Sequence, residues 1–234
     1  MVELASQGLN RSEISRRIGV PRLTVSGWLR DPPPRHLARP TLTDEMDRAA
    51  YSYLLGMYLG DGHLARFPRA WCLRIVLDSR YPGIVRECVE AVRAVLPTNA
   101  VGVIPHPTEN SVRVQAYSMK WSTLLPQHGA GTKHERSIEL AAWQLQITRT
   151  HPERLIRGPI HADGCRFINR VRHGSKVYAY PRYMFSNRSR DIHAIFCDHL
   201  DQLGITWRWS NDHTISIARR DAVSRLDEFV GAKR

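Results

Sequence analysis

YLLGMYLGDG at residues 53–62 and RLIRGPIHADG at residues 154–164 decide the fold. Each reads as a helix that closes on Asp-Gly, and each carries small residues four apart, Gly56 with Gly60 and Gly158 with Ala162. Small residues at that spacing leave a flat stripe along one face of a helix, where two backbones can approach more closely than packed helices usually do. The pattern predicts two helices side by side, with Asp61 and Asp163 brought together at one end. Gly62 and Gly164 are expected to end the helices in the left-handed conformation.

The sequence after each run repeats the same succession, which marks an internal duplication. LRIVLDSRYPGIV at 73–85 aligns with PRYMFSNRSRDIHAI at 181–195, placing Arg74 over Arg182 and Arg80 over Arg188. An amphipathic helix follows in both copies. It is read over Pro82–Leu96, burying Ile84, Val85, Cys88, Val92 and Val95, and over Asp191–Leu203, burying Ile192, Ile195, Phe196 and Leu200. Next come the period-two strands SVRVQA at 111–116 and TISIAR at 214–219, then a closing segment that reaches a lysine. Asp61 precedes Lys133 by 72 positions and Asp163 precedes Lys233 by 70. In a chain with only four lysines, two at equivalent places stand out.

The paired Asp-Gly helices resemble the double signature of the monomeric LAGLIDADG homing endonucleases, over roughly residues 48 to 234. Leu54 to Gly62 keeps the first Leu, the Gly and the final Asp-Gly, with Gly60 as the small residue before them. Ile156 to Gly164 keeps Gly158, Ile160, Ala162, Asp163 and Gly164. The resemblance implies an α+β fold of two tandem αββαββα repeats. Their signature helices would lie along a pseudo-twofold axis, beneath two saddle-shaped antiparallel sheets that ride on DNA. Leu59 and His161 stand at the signature's earlier acidic position, and Pro159 interrupts the second helix, where loss of a backbone hydrogen bond predicts a kink that would alter the approach of Asp163 to Asp61.

Two carboxylates about 4 Å apart repel by about 4 kcal/mol at an effective dielectric of about 20, and the adjoining helix C-termini add negative potential. A divalent cation, Mg²⁺ or another, relieves that conflict, and with phosphate oxygens as further ligands it supports phosphodiester hydrolysis. Asp61 and Asp163 are therefore the candidate catalytic and metal-binding residues, one per DNA strand. The resemblance assigns a lysine in each repeat to the attacking water or to charge neutralisation, which points to Lys133 and Lys233.

Strand alternation selects the residues that face DNA. In the first repeat these are Arg74, Arg113 and Gln115; in the second, Arg166, Arg170 and Arg172, which share parity, and Arg182. Arginine to guanine and glutamine to adenine are the plausible base contacts.

Residues 1–30 read as a helix-turn-helix. A helix at 2–7 stops at Gly8, a second at Glu13–Ile18 is capped by Asn10 or Ser12 and stopped by Gly19, and Pro21 opens a third. The exposed face of the third helix carries Arg22, Thr24, Ser26 and Arg30, and SEISRRIGVPRLTVSGWLR resembles the helix-turn-helix of resolvase-like and small regulator families. Residues 31–46 are a proline-rich linker, and the two repeats are expected at 47–148 and 149–234.

Composition bounds the function. A formal charge of +12 across 234 residues suits a partner dense in phosphates, and double-stranded DNA is the expected one. Four cysteines without a CxxC pair or ligand spacing indicate neither a zinc ribbon nor a disulfide framework, and suit a reducing cytosol. Neither a signal peptide nor an apolar run long enough for a membrane span is evident, so the chain is expected in the cytoplasm, nucleoid-associated when bound, as a monomer with no small-molecule substrate. Two functions fit: a site-specific, metal-dependent DNA endonuclease, and a transcription regulator on a catalytically retired LAGLIDADG scaffold. The aspartates and lysines favour the first; the helix-turn-helix and Pro159 favour the second.

Overall fold

A computed structural model describes residues 8–18 and 46–233, and the chain divides into two units, 1–45 and 46–234. In the first unit, helix α1 (Arg11–Ile18) begins at a reciprocal cap. Asn10 Oδ1 accepts from the backbone N–H of Ser12 and Glu13, while Glu13 Oε2 accepts from Asn10 N at 2.8 Å. Asn10 is thus the cap anticipated for the second helix. The third helix expected from sequence, with Arg22, Thr24, Ser26 and Arg30, falls outside the described residues, as does almost all of the expected linker.

The second unit contains the same run of elements twice. The first is α2 (Arg48–Asp61), β1 (Gly62–Phe67), β2 (Ala70–Asp78), α3 (Pro82–Val95), β3 (Val101–Pro105), β4 (Ser111–Ser118) and α4 (Trp121–Leu124). A connecting helix, α5 (Ala142–Thr150), leads into α6 (Pro152–Ala162), β5 (Gly164–His173), β6 (Lys176–Ser186), α7 (Arg190–Gln202), β7 (Arg208–Asn211), β8 (Thr214–Ile217) and α8 (Arg220–Phe229). Each repeat is therefore αββαββα. Each builds one antiparallel sheet, in the orders β1-β2-β4-β3 and β5-β6-β8-β7.

Helix α2 is buried along nearly its whole length, from Ala50 to Leu59, because it packs against α3 on one side and α6 on another. A helix apolar all round belongs in such a position. The amphipathic helices bury the anticipated stripes: Ile84, Cys88, Val92 and Val95 in α3, and Ile192, Phe196 and Leu200 in α7. Val85 and Ile195 stay half-exposed at the edges of those stripes. The inner faces of the sheets, with Leu73, Ile75 and Val114 in one and Tyr183, Phe185 and Ile215 in the other, close over these helices.

The connection between the repeats is secured by a buried amide network. Gln144 Nε2 donates to Tyr51 Oη at 2.7 Å, Gln127 Nε2 donates to Gln144 Oε1, and Tyr51 Oη donates to Leu124 O at 2.6 Å. No described helix is long and apolar enough to cross a membrane.

Candidate active site and nucleic-acid interface

The two signature helices touch where the small residues predicted. A Cβ added to Gly56 would lie 2.5 Å from Leu155 O and 2.7 Å from Pro159 Cδ; one added to Gly60 would lie 2.4 Å from Ala162 Cβ. A Cβ on Gly158 would meet Gly56 Cα at 2.6 Å. These spacings are below any van der Waals contact, so the glycines are what allow the approach. Pro159 does not break α6. It sits inside a continuous helix and presents its ring to Gly56, while the Leu155 carbonyl, deprived of its usual N–H partner at position 159, abuts the same glycine. The proline is thereby a packing element of the interface, and helical bonding resumes with Asp163 N donating to Pro159 O at 2.9 Å.

Gly62 and Gly164 do not take up the left-handed conformation expected of them. Gly62 is extended, at φ −83°, and neither is among the positive-φ glycines. Their role is steric, because the strand leaves by folding back over the last helical turn. A Cβ would come 2.3 Å from Tyr58 Cα at Gly62, and 2.7 Å from Ile160 Cα at Gly164.

Asp61 ends α2 and Asp163 caps α6, so the tight crossing brings the two carboxylates into one electrostatic environment. Burial, and then the nearby Asp163, push the Asp61 carboxyl up to about 6. Asp163 is also raised by burial, with opposition from a hydrogen bond that Asn187 Nδ2 donates to its Oδ2 at 2.9 Å. Asn187 was not foreseen from sequence, because it lies on the turn after β6, where no periodicity marks it.

The lysines converge on the same place. Lys133 Nζ donates to the last carbonyls of α2, at 2.5 Å to Tyr58 O, 3.1 Å to Leu59 O and 2.6 Å to Gly60 O. Lys233 Nζ donates to Ala162 O at 3.2 Å, and Ala162 is the counterpart of Gly60. Each lysine thus caps the C-terminus of its own repeat's signature helix, where a cation is most favourable. Burial lowers both ammonium groups, Lys133 to about 8, while the two aspartates pull the other way. Lys133 also borders a cleft of about 800 Å³ that His63, Trp71, His128 and Arg136 help to line. Among the described residues, no three His, Cys, Asp or Glu side chains cluster in a way that would hold a metal alone.

On the outer face of the first sheet, cross-strand pairing lines up His63, Arg74 and Gln115, with Arg113 beside Val76 and Ile104 one row along. Arg74 and Arg113 each keep a buried Nε with no acceptor among the described residues, and so does Arg182 in the second sheet. A buried guanidinium N–H without a partner costs free energy that an incoming phosphate or base edge would recover.

The second sheet corrects the anticipated grouping of arginines. Arg166 pairs with the buried Tyr183, on the helix-packed side, and forks onto Asp227 of α8 at 2.7 and 2.8 Å. Arg182 pairs with Phe167 on the opposite, outer face. Arg170 and Arg172 share the parity of Arg166, but they lie where β5 and β6 run on as an exposed two-stranded ribbon beyond the reach of β8. The four arginines therefore do not share one face. The outer face of the ribbon carries Tyr178 and Tyr180, stacked with ring centroids 6.2 Å apart.

No protein-family profile and no curated protein matches the sequence. Solved structures do match in fold. I-DmoI, crystallised in complex with DNA and Mn, aligns with a TM-score of 0.51 at 14% identity, over 80% of this chain and 98% of that one. A double mutant of I-SmaMI aligns with a TM-score of 0.50 at 8% identity, over 80% of this chain and 85% of that one. With two tandem αββαββα repeats joined through their Asp-Gly helices, the chain has the fold of the LAGLIDADG homing endonucleases.

Proposed function

We propose that this chain is a sequence-specific endonuclease that hydrolyses both strands of a DNA duplex with the help of a divalent cation. One observation carries the reading. Two carboxylates stand at adjoining ends of two equivalent helices, and each of those ends is capped by a lysine from the same place in its repeat. A lone Asp-Gly at a helix end has no need of a partner; a matched pair with matched lysines has the symmetry of two antiparallel strands.

The donor set fits a hard dication. Asp61 and Asp163, both raised by burial and Asp61 also by its neighbour, would supply oxygen ligands; among the described residues too few side chains surround them to complete a shell, which water and phosphate oxygens would fill. When bound, the cation supplies charge neutralisation and Lewis-acid polarisation at the phosphate. Asp61 and Asp163 would hold the cation against the scissile phosphates, one strand to each. Asn187 fixes the rotamer of Asp163 through Oδ2 and leaves its other oxygen free to act. Lys133 and Lys233 hold positive charge where the leaving oxygen becomes anionic.

Arg74, Arg113, Gln115 and Arg182 on the outer sheet faces hold the duplex in register, with Arg170 and Arg172 reaching phosphates from the protruding ribbon. The helix-turn-helix in residues 1–30, with Arg22, Thr24, Ser26 and Arg30, adds a tethered second reader and lengthens the target. The complex of I-DmoI with DNA and Mn supports this choice of ligands.

The test is to incubate the protein, with and without Mg²⁺, with duplex DNA from its native locus and from the same locus lacking the protein's own coding sequence, and to map new ends. Discrete ends that require the cation and are lost in Asp61→Asn and Asp163→Asn are expected. Salt-sensitive binding without cutting, unchanged in both variants, would make the chain a regulator on an inherited scaffold.

A further inference from the structure

Lys233 lies four residues past the end of α8, outside any helix or strand, yet its ammonium reaches the end of α6. The structure shows what holds it there. Arg157, on the outward side of α6, donates through Nη1 to Val230 O at 2.9 Å and to Phe229 O, the last carbonyls of α8. Its remaining N–H groups fork onto Glu87 of α3, with Nε at 2.8 Å from Oε1 and Nη2 at 2.8 Å from Oε2. Glu87 belongs to the other repeat. Burial pushes its carboxyl up, but the Arg157 fork, with His161 and Arg154 behind it, outweighs burial and keeps the group ionised. On the opposite side Tyr183 Oη, which donates to Asp227 Oδ1 at 2.5 Å, lies 3.2 Å from Gly231 O, where a positive φ of 67° turns the chain toward Lys233.

The first repeat has nothing equivalent. The position matching Arg157 is Leu55, which is fully buried, and the Lys133 loop is braced locally by Arg136, which donates to Gly131 O at 2.8 Å and to Gln127 O at 3.2 Å. The two lysines therefore reach equivalent places by different supports.

We infer that Arg157, locked by Glu87 of the opposite repeat, is a positioning residue for Lys233, so that one of the two strand-cutting centres depends on a clamp between the repeats and the other does not. The catalytic consequence rests on the endonuclease reading above; the clamp itself does not. Arg157→Ala removes the hold on the Phe229 and Val230 carbonyls and loosens the turn that carries Lys233, while leaving Lys133 as it was. Arg157→Lys keeps a charge but loses the fork, and restores only part of the hold.

The experiment has two arms on the full-length protein. In the first, the four lysines are acetylated under limiting reagent and their rates followed by mass spectrometry, with the exposed Lys120 and Lys176 as internal standards. Arg157→Ala and Glu87→Gln should raise the rate at Lys233 on the order of tenfold, the scale of losing charge-assisted hydrogen bonds, with Lys133 unchanged and Arg157→Lys in between. In the second, cleavage of a supercoiled plasmid carrying the locus is resolved by strand. Arg157→Ala should slow one strand on the order of tenfold more than the other, so that a singly nicked circle accumulates. Lys233 reactivity that stays at the wild-type value, or that rises together with Lys133, overturns the clamp. So does equal slowing of both strands. If the wild-type protein cuts neither strand, the endonuclease reading falls, and lysine reactivity alone still decides whether Arg157 holds Lys233.

Discussion

Replacing Asp61 by Asn should make the protein more stable at neutral pH while abolishing its proposed activity. The carboxyl is raised from 3.8 to about 6 in the folded chain, chiefly by burial and then by Asp163. A shift of about two units corresponds to about 3 kcal/mol. Below about pH 4 the group is protonated whether the chain is folded or not, so it contributes no penalty. Between about pH 4 and 6 the unfolded chain loses the proton while the folded chain keeps it, and stability falls as pH rises. Above about 6 the full penalty is in place. An asparagine keeps the shape without the charge, and since its amide still has to be buried, about 1–3 kcal/mol of the penalty should be recovered. For a domain of this size that is a rise in Tm of about 2–10 °C at pH 7.5. The assay is thermal melting of both proteins at pH 7.5 and pH 4 in chelator, where other titrating groups such as His161 cancel in the difference. The gap should nearly close at pH 4. With Mg²⁺ at pH 7.5 it should also narrow, because only the wild-type protein keeps both carboxylates for the ion. An Asn variant that melts with the wild type at pH 7.5, or one whose advantage is undiminished at pH 4, would refute the idea that Asp61 is held ionised against its surroundings.

Gly60→Ala sets a Cβ 2.4 Å from that of Ala162, so the helices must separate by about 1 Å; melting should show a loss of about 1–3 kcal/mol and single-turnover cleavage a loss of about 100-fold. Arg74→Ala and Arg182→Ala should each reduce the slope of log affinity against log salt by about one, whereas Arg166→Ala, whose guanidinium is committed to Asp227, should leave it unchanged. Equal slopes for Arg166→Ala and Arg182→Ala would undo the assignment of faces. Gln144→Ala removes the centre of the buried amide network and should cost about 1–3 kcal/mol in denaturant unfolding without altering which strand is cut.

The duplication was legible because it is written in helix periodicity, small-residue spacing and the Asp-Gly terminators, all local in sequence. Asp61, Asp163, Lys133 and Lys233 followed from it, and the structure brings the four together. What alternation could not give was the face of Arg166. The ribbon of β5 and β6 outruns its third strand, so side chains on both faces past Ile168 are mostly exposed and parity loses its anchor. Deciding that Arg166 faces inward requires knowing that it pairs with Tyr183, which is a matter of register rather than composition. Pro159 was read by its missing N–H, whereas its ring is what the neighbouring helix meets. Asn187, Glu87 and Arg157 act across long sequence separations, and no local pattern connects them.

Joining the repeats through one chain has a consequence for how such a molecule can change. A homodimer with this architecture would carry every substitution twice and would be confined to a palindrome. Here the link through Gln127 and Gln144 makes the second half a permanent companion of the first, so the halves are free to differ. They already do, with Arg157 in one and Leu55 in the other, and with a hairpin ladder of ten pairs in one sheet against six in the other. Divergence on one side need not be matched on the other, provided the glycines along the shared axis are left alone.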